Sequence, residues 1–311
     1  MNGVIILDKP AGWTSHDVVN RMRRILGQRS IGHLGTLDPL ATGVLPLVTG
    51  SLTRLAQFYT ASEKTYEGVI RFGFATNTYD ADGAPLGERT SVSPTLEQIQ
   101  KLAAPFVGMI DQVPPPFSAK KINGVPAYKL ARKKQEVNLK PVQVEIKEFR
   151  ILSVEGERAN FRARVASGTY MRSVAHEMGQ RLGCGAHLES LRRTSVAEFD
   201  IAQAHTLEEI EGQIKDCHSE PGGKPGEEPA SSRGEGTGDL FVHPRQLLPH
   251  FPSVTADEPT AARIRSGRPV NLPNVSRARQ VKVFHGQSDL IAIATRVAGT
   301  LFHPKIVFPT G

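Results

Sequence analysis

The sequence predicts a mixed α and β fold with mostly antiparallel strands, and three observations carry that expectation. Val142, Val144 and Ile146 alternate with Gln143, Glu145 and Lys147, and Phe161, Ala163 and Val165 alternate with Arg162 and Arg164. Such period-two patterns mark strands with one buried and one wet face, as antiparallel sheets have. Second, cap signals precede helical spacings: Thr14 with Asp17, and Thr95 with Gln98. Third, the chain ends in a strand-rich stretch, where Val281 and Val283 flank Lys282 and Leu290, Ile291 and Ile293 follow.

In chain order, Gly3–Leu7 (GVIIL) reads as a short buried strand that stops at Asp8-Lys9-Pro10. The helix capped by Thr14 places Val18, Met22 and Ile25 on its apolar face, and Gly27 ends it. Ile70, Phe72 and Phe74 alternate as a strand that leads into the turn Asp80-Ala81-Asp82-Gly83. Val174, Met178 and Leu182 form a helix face ending at Gly183, and Thr206 with Glu209 caps another helix. Residues 219–238, SEPGGKPGEEPASSRGEGTG, have almost nothing to bury and read as a disordered insert. From about 251 a compact basic β-rich module resumes, so the expected division is 1–250 and 251–311.

With 311 residues, 39% hydrophobic and 22% charged, the composition is that of a soluble globular chain. The formal net charge of +7 favours a polyanionic partner. Residues 211–240 hold three bases and seven acids, so the rest of the chain carries +11. Cys184 and Cys217 are too few for a disulfide framework or a closed zinc site, which favours a reducing, cytoplasmic setting. No apolar run reaches the roughly 18 residues of a membrane span, and the N-terminus lacks the basic start of a signal peptide.

Ala119–Lys134 contains six bases and no acid, with Tyr128 inside and Pro114-Pro115-Pro116-Phe117 before it. Lys120, Lys121 and their neighbours suit phosphates, and Tyr128 suits a base, so looped or single-stranded RNA fits better than duplex DNA. A solvated helix and loop is the competing reading. GxxxxGK[ST], GxSxG, HExxH and Cys-x-x-Cys are all absent from the sequence. The Asp80–Gly83 stretch fails as an EF-hand, since Pro85 and Ser91 stand at its sixth and twelfth positions. That leaves Asp38, a lone acid within GHLGTLDPLATGVLPL (residues 32–47). A turn or cap aspartate is one reading. The other is a nucleophilic carboxylate kept ionised by an arginine, for which Arg172 in Gly168-Thr169-Tyr170-Met171-Arg172 is a candidate.

The stretch from Gly32-His33 through Gly35-Thr36-Leu37-Asp38-Pro39-Leu40-Ala41-Thr42-Gly43-Val44-Leu45 closely resembles the catalytic motif of the TruB family of tRNA pseudouridine synthases. Four more blocks resemble the family in the same order: Leu7–Ser15, Lys64-Thr65-Tyr66, Gln112–Tyr128, and Ser167–Arg193 with its GTYMR, GCGAHL and LRR. The resemblance spans about residues 3–200. It implies an α+β fold with a mixed, mainly antiparallel central sheet flanked by helices, plus a small C-terminal β-rich PUA-like module for RNA. It also implies isomerisation of one uridine to pseudouridine in the T-loop (position 55) of tRNAs, with an accompanying aid to tRNA folding. No cofactor or metal is implied, nor a membrane or an obligate protein partner, and a monomer is expected. Carried over by position, Asp38 is the nucleophile and Arg172 its ion-pair partner. Tyr66 stacks on the flipped uracil, His33 fills or borders the gap in the loop, and Tyr170 and Leu191 line the uracil pocket. Phe117 stands where the family often has Tyr, which removes a hydroxyl. A non-catalytic RNA-binding protein and a guide-dependent rRNA synthase of the dyskerin type are the alternatives. The triad of Asp38, Tyr66 and Arg172 argues against the first. The early position of the first motif argues against the second.

Overall fold

A computed structural model of the chain describes residues 2–133, 135–218, 240–272 and 278–309. The expected disordered insert at 219–238 lies outside the described residues. The chain begins with β1 (Gly3–Lys9), in which Val4, Ile5, Ile6 and Leu7 are at most 1% exposed. An unbroken apolar run suits a strand covered on both faces. Then come α1 (Ser15–Ile25), β2 (Ile31–His33), β3 (Thr42–Thr49) and β4 (Lys64–Phe72). Thr14 and Asp17 make the expected reciprocal cap on α1, and Val18, Val19 and Met22 are its buried face. Next are α2 (Leu96–Ala103), capped by Thr95 and Gln98, and β5 (Gly108–Gln112). The middle of the chain continues with α3 (Ala127–Arg132), β6 (Val142–Glu155), β7 (Arg158–Val165), α4 (Met171–Leu182), β8 (Ala186–Val196), β9 (Phe199–Asp200) and α5 (Leu207–His218).

These strands form one nine-stranded sheet in the order β1-β3-β8-β4-β7-β6-β5, with β2 also paired to β3 and β9 to β8. Every pairing is antiparallel except that of β3 with β8, where Arg192 and Arg193 lie opposite Thr42 and Gly43. Gly43 is needed at this seam: its φ is +100°, and a Cβ there would sit 2.2 Å from the Arg193 carbonyl oxygen. The expected strand through Phe74 stops at Phe72. Gly73 turns the chain with φ +103°, and a Cβ on it would meet the Thr90 carbonyl at 2.7 Å. Helices α1, α2, α4 and α5 cover one face of the sheet, with Met22, Ile99, Val174, Met178 and Ile210 in its core.

The C-terminal residues form a second sheet from β10 (Ser253–Ala256), β11 (Val270–Asn271), β12 (Gln280–His285), β13 (Asp289–Ala298) and β14 (Leu301–Val307), in the order β10-β12-β13-β14-β11. Helix α6 (Glu258–Arg265) closes one side of it through Ala261 and Ile264. The other side shares a core with the main sheet. Phe284, Ile293, Ile306 and Phe308 pack with Val4, Ile6, Val44, Val48 and Phe199, and Leu247 and Leu248 of the connecting chain join them. At about 1.5–3 kcal/mol per fully buried large apolar side chain, this shared core ties the two sheets together firmly.

Candidate active site

The loop between β2 and β3 presents Asp38. Its apolar members face inward, with Leu34 and Leu37 each 4% exposed and Ala41 1%. Its backbone is held from three sides. Ser15 accepts the Leu37 amide at 2.8 Å and donates to the Leu37 carbonyl at 3.2 Å. Lys9 donates from Nζ to the carbonyls of Pro10 (2.8 Å), Trp13 (2.7 Å) and Pro39 (3.2 Å). Arg193 donates to the carbonyls of Gly35 (3.0 Å), Thr36 (3.2 Å) and Val44 (2.8 Å). Both cations are fully buried. A buried charge is tolerated where neutral acceptors replace its water shell, and here Gly35, Thr36 and Pro39 of the loop supply half of them. Burial pushes the Lys9 ammonium down to about 8, against an upward pull from Asp38. Burial also pushes Arg193 down; the Tyr66 hydroxyl, its hydrogen-bonding neighbour, opposes that.

Asp38 thus projects from a rigid loop with its side chain 38% exposed. Arg172, the second residue of α4, is buried against it. Its Nη2 donates to Asp38 Oδ1 at 3.1 Å, while Nε lies 2.9 Å from Oδ2 with its hydrogen off that line. The same guanidinium donates to the carbonyls of Thr78 and Phe117, both at 3.1 Å, and lies 3.6 Å from Asp80 Oδ2. A cation at a helix N-terminus is disfavoured by the helix dipole. Two carboxylates and two carbonyls around Arg172 outweigh that effect. Burial raises the Asp80 carboxyl above the ordinary range, opposed by Thr78 and Arg172. The turn carrying Thr78 and Asp80 is fixed by Tyr79, which has φ +67° and stacks on His176 of α4 with ring centroids 3.7 Å apart.

Around Asp38 lies a cavity of about 1120 Å³, large enough for more than one nucleotide. Tyr66, Tyr170, Leu191, His33 and Tyr128 all line it, as do Asp38 and Arg172. Tyr66 comes from β4 opposite Arg193 in the register, and Leu191 from β8, so the antiparallel β4–β8 pair supplies this wall directly. Gln112 clips Tyr170 by accepting its amide at 2.8 Å and donating to its carbonyl at 3.1 Å. Burial and the Asp38 charge push the Tyr170 hydroxyl upward, so it keeps its proton. His33 Nδ1 accepts the Gly35 amide at 3.3 Å, which leaves the proton on Nε2. Burial, then Arg193 and His16, lower its pKa, so the ring is neutral at pH 7. Lys64 also faces the cavity, pushed down to about 8 by burial and by Arg193.

The structure brings together seven of the nine residues that the sequence suggested. Lys120 and Lys121 stand apart: both are exposed, Lys120 just before and Lys121 within the small Lys121–Ile122 and Val125–Pro126 hairpin, and neither lines the cavity. Sequence reasoning missed Lys9, Lys64, Asp80, Gln112 and Arg193. Each sits inside or beside a block with a legible pattern, but nothing local marks a cation as buried. Among the described residues no group of three or more His, Cys, Asp or Glu is placed to hold a metal, and no helix is long and apolar enough to cross a membrane.

Residues 23–171 match the model of the TruB family pseudouridylate synthase N-terminal domain, and 172–221 that of the tRNA pseudouridylate synthase B C-terminal domain. The chain is 47% identical over 310 residues to the tRNA pseudouridine synthase B of Solibacter usitatus, covering 99% of this chain and 100% of that one. It is 37% identical to the protein of the same name from Bacillus cytotoxicus, covering 98% and 94%. Among solved structures, a chain of an H/ACA RNP bound to a substrate RNA containing 2′-deoxyuridine superposes with a TM-score of 0.70 at 23% identity, over 99% of this chain and 85% of that chain. A chain of a Cbf5–Nop10–Gar1 complex gives 0.67 at 25% identity, over 96% and 79%. The two family-model matches and this full-length similarity agree: the chain belongs to the TruB family of pseudouridine synthases, isomerases that act on uridine in RNA.

Proposed function

We propose that this chain isomerises one uridine of the tRNA T-loop, at position 55, to pseudouridine, with Asp38 as the nucleophile on a flipped-out nucleotide. The observation that carries this reading is an accessible carboxylate fixed on a doubly clamped loop, paired to the buried Arg172, at the wall of a cavity lined by Tyr66, Tyr170 and Leu191. The reaction breaks the bond from N1 to the ribose C1′, turns the base and forms the bond from C5 to C1′. The proton on C5 is lost and N1 gains one, so atoms balance with no external reagent.

Asp38 attacks an electrophilic carbon of the nucleotide, ribose C1′ or a ring carbon, and Arg172 keeps the carboxylate charged and aimed. Tyr66 stacks on the freed uracil and faces the carbon that loses its proton. Flipping the base costs a few kcal/mol, and stacking on an aromatic returns about 1–3 kcal/mol. His33 occupies the space that the flipped base vacates. Tyr128, Lys120, Lys121 and the module from about residue 251 contact the T-arm, and their bases make binding salt-dependent. The chain acts as a monomer.

The test is Asp38→Asn with an unmodified tRNA transcript. Pseudouridine formation is expected to fall by a factor on the order of 10⁴ or more, while transcript binding persists. A wild-type rate overturns the nucleophile assignment. Mapping the product outside the T-loop overturns the substrate assignment but leaves the reaction.

A further inference from the structure

Trp13 is the sole tryptophan of the chain. It is 37% exposed, and it is the one aromatic among the large hydrophobic side chains exposed in the described residues. Its backbone is not loose. The Trp13 carbonyl accepts from Lys9 at 2.7 Å, and the same ammonium holds the Pro39 carbonyl. The amide of Gly12 donates to that Pro39 carbonyl at 2.9 Å. The next residue, Thr14, is pinned as the cap of α1. Trp13 and the Asp38 loop are therefore fastened to one buried cation and keep a constant spacing.

Position adds to this. Thr14, Ser15, His16 and Pro39 line the cavity around Asp38, and Trp13 itself does not. It stands at the rim, outside the wall that receives the reacting nucleotide. With the backbone fixed, an indole has only two side-chain torsions left to order when a ligand arrives, so its contact area comes at low entropic cost. Every nucleobase offers a π-face, and an indole stacks on it without regard to sequence.

We infer that Trp13 is a stacking platform for an RNA base neighbouring the nucleotide inside the cavity. This rests on the reading of the cavity as a site for an RNA loop. A flipped nucleotide leaves its neighbour with one face unstacked, and the rim is where that neighbour emerges. The ring supplies the missing face and reports the entry of the loop.

The test uses the full chain. Because Trp13 is the only tryptophan, emission excited at indole wavelengths comes from this site alone. Titrating the Asp38→Asn variant with unmodified tRNA transcript is expected to quench that emission, saturating with the binding curve measured by filter retention. In the otherwise native chain, Trp13→Leu is expected to raise KM about 5- to 150-fold with kcat unchanged, and Trp13→Phe to restore most of the loss. Unchanged emission at saturating transcript overturns the proposal, and so does a wild-type KM for Trp13→Leu. Equal KM values for the Phe and Leu variants also overturn it, since stacking would then not be the contact. If Trp13→Leu does not fold, the emission titration and Trp13→Phe decide. Absence of pseudouridine from the wild-type chain would instead overturn the reaction, which the emission titration does not measure.

Discussion

Replacing Arg193 by Met tests whether the buried guanidinium shapes the Asp38 loop. Arg193 is 0% exposed and donates to three carbonyls, those of Gly35, Thr36 and Val44. Methionine fills much of the volume and supplies no donor. Three acceptors then lose a partner, at about 1–3 kcal/mol for each one left buried. Two of them border the cavity, where water reaches them, and removing a buried charge recovers some desolvation. The net loss expected is about 2–4 kcal/mol. For a chain of this size that corresponds to a fall in Tm of about 4–16 °C, at 2–4 °C per kcal/mol. The loop also shifts, because Gly35 and Thr36 precede Asp38 closely, and a displacement near 1 Å costs about 100-fold in kcat. Scanning calorimetry with single-turnover pseudouridine assays on the folded fraction measures both. A Tm within 1 °C of wild type, together with an unchanged kcat, would refute the clamp.

Lys9 gives a pH signature. Its folded pKa of about 8 lies below the ordinary 10.5, so between these values the unfolded chain binds more protons than the folded one. Stability is therefore expected to rise with pH across that window by a component that Lys9→Met lacks. Urea unfolding of both proteins at pH 7.5 and 10 checks this, and parallel trends would count against it. Gly43→Ala places a Cβ 2.2 Å from the Arg193 carbonyl at φ +100°. It should cost at least about 2–3 kcal/mol, read as a lowered urea midpoint with an unchanged m-value.

Local features were readable in the sequence because their causes are local. The Thr14, Thr95 and Thr206 caps appear where a hydroxyl and an acid or amide three residues on satisfy the first amides of a helix. The continuous run Val4–Leu7 announced a strand covered on both faces. Phe74 misled because its alternation with Phe72 continues past Gly73, whose turn depends on Thr90, far along the chain. The site was legible only through resemblance. Chemistry alone offered Asp38 and Arg172 as one option against a turn aspartate, and the geometry now pairs them. Arg193 and Lys9 escaped notice because no neighbour in sequence distinguishes them from the bases of a wet surface. Their burial draws on partners distant in sequence, 30 residues from Lys9 to Pro39 and 158 from Arg193 to Gly35.

The parallel seam between β3 and β8 has a consequence for the order of assembly. The Asp38 loop and β3 leave the ribosome early, yet Arg192 and Arg193 pair with Thr42 and Gly43 across some 150 residues of chain. Contacts so distant in sequence are slow to form, since loop closure precedes any gain from pairing. Tyr66 and β4 are likewise made before Arg193, and β4 gains its neighbour β8 only afterwards. A nascent chain therefore carries Asp38 on a loop that only Ser15 and Lys9 hold, and it gains the Arg172 partner and the Arg193 clamp only after the later strands are made. Maturation of activity and completion of the main sheet become a single event.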